Sequence, residues 1–281
     1  MANKTDPYKV AVLVALYNQQ IQESKTISSL RLLKEKLGEN IHITIWNNGP
    51  KELPEISDDL FYCDIRFIQE VSNKPLSYVY NHFMDSIDAE KYVFFDQDTL
   101  INEKYIEELL SDSSMVSIPI IACDEKIYSP TTCSGEPIST DSYVNCKIVG
   151  IGSGICLRRK VKEQFISKFG EVFDSRFVLY GVDTTFFLRL HTLDKEVSIN
   201  VLSSVQHSLS KMEKESLATK KFRKKERAYD LGLRLRYYFS LELLIVVAKK
   251  LLANLLFVRN EINVKDFLIA LISGTHYRRK L

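Results

Sequence analysis

Tyr92-Val93-Phe94-Phe95-Asp96-Gln97-Asp98-Thr99 carries four apolar or aromatic residues straight into two carboxylates held one residue apart. The run is too short for a helix and rich in strand formers, so it predicts a strand buried on both faces. In an open α/β sheet the ligand crevice lies just beyond the carboxyl ends of the strands. Two acids at such a strand end are costly unless a cation meets them. Asp-x-Asp there suits a hard divalent cation, and the cation in turn suits a diphosphate. An exposed acidic turn is the plain alternative, and the tripeptide alone favours it.

The flanking sequence supplies the rest of a sheet. Lys9 to Leu16 is a near-continuous apolar run, the pattern of a buried parallel strand, and it ends at Tyr17-Asn18. Ile21 to Leu37 has apolar residues at helical spacing with Gly38 as a stop. Ile41 to Trp46 alternates as a second strand and breaks at Asn47-Asn48-Gly49-Pro50, a turn signal. A third short strand, Ile65 to Ile68, precedes a helix that Asn73-Lys74-Pro75 opens and that runs through Asn81 to Ile87. After the Tyr92 strand, Glu103 to Leu110 predicts another helix. This order is that of a mostly parallel, doubly wound sheet. The polar breaks at Asn18, Asn48 and Asp96 would then line one sheet edge, where a nucleotide would sit.

Beyond Met115 the pattern changes. Met115 to Cys123 predicts a strand, and Asp124 to Tyr143, rich in Ser, Thr, Pro and Gly, predicts a loop or hairpin over the site. Ile148 to Leu157 reads as one strand-like run carrying Gly150, Gly152 and Gly154, where another backbone or a ligand can approach closely. Its Gly-x-Gly lacks the strand, helix and acidic partner of a dinucleotide fingerprint. Val161 to Phe169 predicts a helix, and so does Thr184 to Leu193, with Asp183 at its N-terminus, where capping alone accounts for an Asp. Val197 to Val201 predicts a last strand, followed by a loop to His207; a lone loop histidine ordinarily lies on the surface.

The chain has 281 residues, 45% of them apolar and 26% charged, ordinary figures for a globular protein with a real core. Its five cysteines (Cys63, Cys123, Cys133, Cys146, Cys156) are scattered without Cys-x-x-Cys pairs, which predicts reduced thiols, no zinc site and a cytoplasmic location. Met1 to Lys9 is polar and lacks an apolar signal core. The formal charge of +2 hides an asymmetry: residues 211–281 hold 17 Lys and Arg against 7 Asp and Glu, and residues 1–210 hold 21 against 29. An acidic body with a basic tail predicts an anionic surface as the tail's partner.

Within that tail, residues 211–236 carry ten Lys and Arg. Leu241 to Phe257 is apolar but interrupted by Glu242 and Lys249-Lys250, which argues against a spanning helix. A helix lying at an anionic membrane surface and a helix packed on the acidic body of the chain fit equally well. Nucleic acid is disfavoured, because no recognised fold or aromatic platform accompanies the charge.

Taken in order, Tyr17-Asn18, Asn47-Asn48-Gly49, the Asn73-to-Asn81 helix, Asp96-Gln97-Asp98, Gly152-Ser153-Gly154, Phe173-Asp174, Val182-Asp183 with Arg189, and His207 resemble the bacterial family 2 glycosyltransferases of the GT-A fold. The rhamnosyltransferase-like members are the most similar. The resemblance covers residues 8 to 210 or so. It implies a Rossmann-like, mostly parallel sheet with flanking helices in a catalytic domain of residues 1–210. The basic helical extension, 211–281, would then be membrane-peripheral or acceptor-side. It also implies an inverting hexosyltransferase that uses Mg²⁺ or Mn²⁺ and a dTDP-rhamnose or UDP-hexose donor. The acceptor would be a saccharide, lipid-linked in many relatives, in O-antigen or capsule synthesis on the inner face of the cell membrane.

By the same resemblance Asp183 is the general base. Asp98 holds the metal, with Asp96 and His207 beside it. Tyr17, Asn18, Asn48, Lys74, Asn81, Asp96, Gln97, Gly152, Gly154 and Arg189 fall on the nucleotide-sugar side. Asn48 is an amide where many relatives carry Asp, Pro75 stands where Gly is usual, and Gly181 replaces a frequent aromatic residue. A nucleotidyltransferase would want a Gly-rich basic loop after the first strand, and Tyr17-Asn18-Gln19-Gln20 is not one. A non-catalytic, membrane-peripheral scaffold of the same fold is the alternative from outside the enzymes, and a donor-hydrolysis assay separates it.

Overall fold

The computed structural model describes residues 6–54, 63–123, 126–132, 135–138, 147–193, 197–208, 216–255 and 262–280. The first half alternates as expected: β1 (Tyr8–Leu16), α1 (Lys25–Leu32), α2 (Lys34–Leu37), β2 (Ile41–Asn47), β3 (Asp64–Gln69), α3 (Leu76–Ser86) and β4 (Ala89–Asp96). A two-residue strand β5 (Thr99–Leu100), α4 (Glu103–Ser111), β6 (Val116–Cys123), β7 (Lys126–Ser129) and β8 (Thr131–Thr132) follow. Then come β9 (Ile148–Val149), β10 (Ile155–Arg158), α5 (Arg159–Phe169), α6 (Val182–Leu190) and β11 (Ile199–His207). The extension contributes α7 (Leu217–Tyr237), α8 (Leu241–Leu255) and α9 (Val264–Ser273).

The main sheet runs β3-β2-β1-β4-β10-β6-β11-β5, with β7 on β6. β1 pairs β2 and β4 in parallel, and β2 pairs β3 likewise. β10 runs antiparallel between β4 and β6, so the turn before it returns to the carboxyl end of β4. This is the mixed α/β architecture that the alternating pattern predicts, with a core on each face of the sheet.

β4 shows why. Tyr92 and Phe94 point to one layer, while Val93 and Phe95 point to the other, and all four are buried. Phe94 meets Tyr80, Phe83 and Phe173 with centroids 4.9, 5.8 and 5.1 Å away; Phe95 meets Tyr105 at 6.1 Å. Each ring so buried stabilises the fold by roughly 2–3 kcal/mol. Lys91 is the buried charge of the strand, and its ammonium caps the end of α4 at the Leu109 and Asp112 carbonyls, 2.8 and 2.7 Å away.

The structure departs from the sequence reading in four places. The helix expected over Ile21 to Leu37 is split. Ser24 caps a fresh start at α1, its hydroxyl accepting from Ile27 N–H, and the path breaks again at Leu33. The single run expected over Ile148 to Leu157 is two strands, because Gly154 has φ +84° and the chain turns between Gly150 and Gly154. β11 does not stop near Val201. A register shift between Leu202 and Val205 lets it continue beside β6 to His207. Helix α9 is not among the expected elements, although Asn263 caps it, its side chain accepting from the Lys265 and Asp266 N–H groups; residues 256–261 before it lie outside the described set.

Cys63, Cys123 and Cys156 are free thiols. Cys133, Cys146, nine of the twenty residues expected as a loop or hairpin over 124–143, and the 210/211 boundary lie outside the described residues; the described part of that stretch forms β7, antiparallel to β6, and β8.

Candidate active site

The acidic turn after β4 is held from three directions. From α1, the Ser24 hydroxyl donates to the Gln97 carbonyl at 2.7 Å, and the buried Thr26 hydroxyl bonds the backbone of Asp96 and Thr99. From the glycine turn, Ser153 Oγ accepts from Asp96 N–H at 3.0 Å and lies 2.6 Å from Thr99 Oγ1. From the far side of the sheet, β5 pairs β11, matching Thr99 to His207. Ser24, Thr26, Thr99 and Ser153 are all buried. Sequence reasoning missed them, because small hydroxyl residues near helix starts and turns read as ordinary caps. The available signal was the need to satisfy every donor of a buried acidic turn.

That pairing gathers Asp96, Asp98 and His207, whose ligand atoms all lie within 4.8 Å of one another. His207 is buried on a strand, correcting the expectation of a surface loop histidine. Its Nδ1 lies 2.9 Å from Thr99 Oγ1 and 3.4 Å from Asp98, and its Nε2 lies 3.9 Å from Asp96. Two half-buried carboxylates and one imidazole form a donor set of hard oxygens and a borderline nitrogen, which fits Mn²⁺ or Mg²⁺. A ligating histidine is ordinarily oriented by a partner on its other nitrogen, the place that Thr99 Oγ1 takes here.

Asp183 opens α6 in its first turn, and its carboxylate accepts from Thr184 N–H at 2.7 Å. It does not cap the helix, since Gly181 is the N-cap residue. Burial lifts the Asp183 carboxyl to about 6 against the pull of the Thr184 N–H; the charges of Asp230 and Asp96 push it further up and Arg234 opposes them. The buried Tyr80 hydroxyl, from α3, hydrogen-bonds Asp96 and feels Asp183 as well, and burial first and then both carboxylates hold that phenol protonated. A Cβ on Gly152 would lie 3.7 Å from Asp183 Cβ and 3.8 Å from the Tyr80 hydroxyl. Gly152, Tyr80, Asp96 and Asp183 are therefore neighbours. Tyr80 was also missed: its spacing reads simply as the apolar face of α3.

Other residues expected at the site are placed as follows. Tyr17 is exposed at the end of β1, and its N–H donates to the Gln97 side chain at 2.7 Å. Asn18 has φ +52° and its N–H donates to Gly49 at 2.7 Å, which joins the loops after β1 and β2. Asn48 spends its side chain on Lys74, donating to the carbonyl and accepting from the N–H at 2.9 and 3.0 Å. The Lys74 ammonium sits 4.0 Å from Glu70 and 6.0 Å from the Tyr78 ring centre. Asn81 clasps both backbone groups of Phe173 at 2.8 and 3.0 Å. Gly154 faces away from the carboxylates, toward Pro119 and Tyr105.

Arg189 is buried in an ion-pair network, 3.1 Å from Asp174 and 2.8 Å from the Tyr238 hydroxyl. Arg176 grips the same Asp174 through Nε at 2.8 Å. Burial alone would raise the Asp174 carboxyl, but Arg176, Tyr238 and Arg189 outweigh it and hold it below its ordinary range.

The extension packs on this site. Tyr238, after α7, donates to Asp174 at 2.6 Å, and Arg278 donates to the Asn73 carbonyl at 3.0 Å. No helix of the described residues is long and apolar enough to cross a membrane.

No family model matches the chain, and no curated protein is similar to it. Among solved structures it is similar to S. aureus TarS, at 14% identity and TM-score 0.53 over 96% of this chain. The chain spans 50% of that TarS chain. Residues 1–349 of TarS alone give TM-score 0.49 at 13% identity, covering 97% of this chain and 92% of that one. Mannosyltransferase PcManGT from Pyrobaculum calidifontis, solved with GDP-Man and Mn²⁺, gives 0.45 at 11%, covering 81% and 63%. The curled, mostly parallel sheet with helices on both faces and a helical C-terminus is the GT-A fold.

Proposed function

We propose that the chain is an inverting, metal-dependent glycosyltransferase that moves a sugar from a nucleoside-diphosphate donor to a saccharide acceptor. The observation that carries this reading is the meeting of Asp96, Asp98 and His207 at the carboxyl edge of the sheet, with the half-buried Asp183 close enough to feel the Asp96 charge. The nucleotide lies along the ends of β1, β2 and β4, with Tyr17, Asn18 and Lys74 around it and Gln97 pinned to the Tyr17 backbone. Asp98, Asp96 and His207 would hold a divalent cation, which would offset the charge of the diphosphate.

Asp183 takes the proton from the acceptor hydroxyl. The acceptor oxygen bonds to the anomeric carbon from the face opposite the nucleotide, and the bond to the diphosphate oxygen breaks with its electron pair leaving on that oxygen. Inversion follows from the opposed faces. A carboxyl lifted to about 6 is ionised at neutral pH yet basic enough to work. Tyr80 donates to Asp96 and, held protonated by burial and by both carboxylates, stays a donor beside the base.

dTDP-rhamnose or a UDP-hexose as donor rests on the order of motifs from Tyr17 to His207. A lipid-linked acceptor in O-antigen or capsule synthesis is supported by the extension, whose α8 and α9 expose Leu241, Ile245, Leu252 and Ile272 beside lysines. Calorimetry with UDP and dTDP, with and without Mn²⁺, tests the core of the reading. Binding should need the metal; nucleotide binding of equal strength without it, or none in either condition, sinks it.

A further inference from the structure

Helix α7 belongs to the basic extension, yet one of its acids reaches the turn that carries the proposed base. Gly181 immediately precedes α6 with φ +85°, and a Cβ there would collide with the Asp230 carboxylate and come within 2.7 Å of the Phe177 ring. Asp230 is only 8% exposed. It holds Arg234, one turn further along α7, in a two-pronged pair with Nε 2.7 Å from Oδ1 and Nη2 2.8 Å from Oδ2. The α7 helix cannot drift away from this contact, because α9 locks it from behind: a Cβ on Gly232 would lie 2.6 Å from the Phe267 carbonyl.

We propose that the Asp230–Arg234 pair is a positioning device for Asp183, so that the C-terminal extension completes the acceptor side of the active centre. The inference rests on the reading of Asp183 as base. The charged and titratable groups facing Asp183 are Tyr80 from α3, Asp96 from β4, and Asp230 and Arg234 from α7. Arg234 sits between two demands. Its burial works against its charge, while the Asp230 carboxylate first, and Asp183 after it, hold the guanidinium protonated.

With Asp230 in place, Arg234 is committed sideways along α7, and the Asp183 carboxylate stays free to face the pocket. Without Asp230, Asp183 becomes the guanidinium's strongest remaining carboxylate partner, and a base bound in an ion pair is a weak one. Without Arg234, the repulsion between the Asp183 and Asp230 carboxylates loses the cation that opposes it, and one of them keeps its proton to higher pH. The two deletions therefore push the base in opposite directions. A residue that merely supports the fold would not do that.

The test is the pH dependence of kcat/KM for Asp230→Asn and Arg234→Met in the full chain, with calorimetric UDP–Mn²⁺ affinity as the check on the donor side. The acid limb should fall by about half a pH unit or more in Asp230→Asn and rise by a similar amount in Arg234→Met. Each should lose about tenfold or more in kcat while UDP affinity and donor KM stay within about twofold. Gly181→Ala, which displaces Asp230, should show the same split. If Arg234→Met does not fold, Arg234→Lys keeps the charge and should restore the wild-type limb while Asp230→Asn still shifts it. Limbs that do not move, or that move together, overturn the proposal. Full activity of Asp183→Asn would instead remove the base itself, whereas an inactive Asp183→Asn with unmoved limbs sinks this inference alone.

Discussion

His207 and Thr99 face each other across the two-residue ladder that joins β5 to β11, with Nδ1 2.9 Å from the threonine Oγ1. That contact fixes the ring and leaves Nε2 turned toward Asp96, 3.9 Å away. Supporting contacts of this kind tune metal affinity by about 10- to 100-fold. Thr99→Val should therefore weaken Mn²⁺ binding about tenfold in the presence of UDP, and His207→Ala or Asp98→Asn should weaken it further. Mn²⁺ titration followed by electron paramagnetic resonance reads this directly. Unchanged affinity in both His207→Ala and Asp98→Asn would place the metal elsewhere.

The pH dependence of the reaction should follow Asp183. Its carboxyl is raised to about 6 by burial above all, so the base is protonated below that pH and ionised above it. The value of kcat/KM should fall with a unit slope as the pH drops through about 6, the free-enzyme limb of the profile. Asp183→Asn should abolish transfer by about a thousandfold or more while retaining UDP–Mn²⁺ binding. A rate that stays flat down to pH 5 would exclude Asp183 as the group that takes the proton.

The same raised pKa makes a stability statement. A carboxyl that binds its proton more tightly when folded contributes stability that is full below its unfolded pKa, near 4, and is lost as pH rises through about 6. Ionised Asp183 therefore destabilises the protein at neutral pH. Asp183→Asn should be more stable than wild type by about 1–2 kcal/mol at pH 7.5, after discounting for partial exposure, and about equal to it near pH 4. Thermal melts at the two pH values check the sign, and a variant that is less stable at both refutes it.

The parts of this site that periodicity governs could be read from the chain. β4 alternates its aromatic residues between two cores, and Asp96 to Asp98 follow where its apolar run ends. What could not be read depends on contacts distant in sequence. Nothing local to Ser203–His207 says that the strand runs on, because the partners that extend it are distant: Ile121-Ala122 on one side and Thr99-Leu100, over a hundred residues earlier, on the other. Ser24 and Ser153 look like caps until the turn they bind is seen. Asp230 is one acid in a helix dominated by Lys and Arg, and only the bare backbone of Gly181 against it betrays its place.

Arg189 separates a binding role from a structural one. Its guanidinium shares the fully buried Asp174 with Arg176 and Tyr238, and its Nη1 also reaches the Glu171 and Val172 carbonyls at 3.3 Å. Removing one partner of a buried pair strands the other, at a cost of about 3–5 kcal/mol. Arg189→Met should lower stability by that order in urea melts, with donor KM in the surviving folded enzyme changed by less than about twofold. A raised donor KM at unchanged stability would return Arg189 to the nucleotide sugar.

The extension offers the last test. Helices α8 and α9 expose Leu241, Leu244, Ile245, Leu252, Leu268 and Ile272, and Ile272 is 74% accessible. Apolar side chains of that number on neighbouring helices exceed the scatter normal for a monomer's surface. Lys249 and Lys265 lie on the same two helices, the composition of a face that enters the headgroup region of an anionic bilayer. The full chain should co-float with phosphatidylglycerol-rich vesicles and not with neutral ones, and raised salt should weaken that binding. Ile245→Glu with Ile272→Glu should abolish flotation while leaving UDP–Mn²⁺ binding intact. Failure of the wild type to float, together with a doubled mass in sedimentation that the same substitutions reverse, would assign the face to a second copy of the chain.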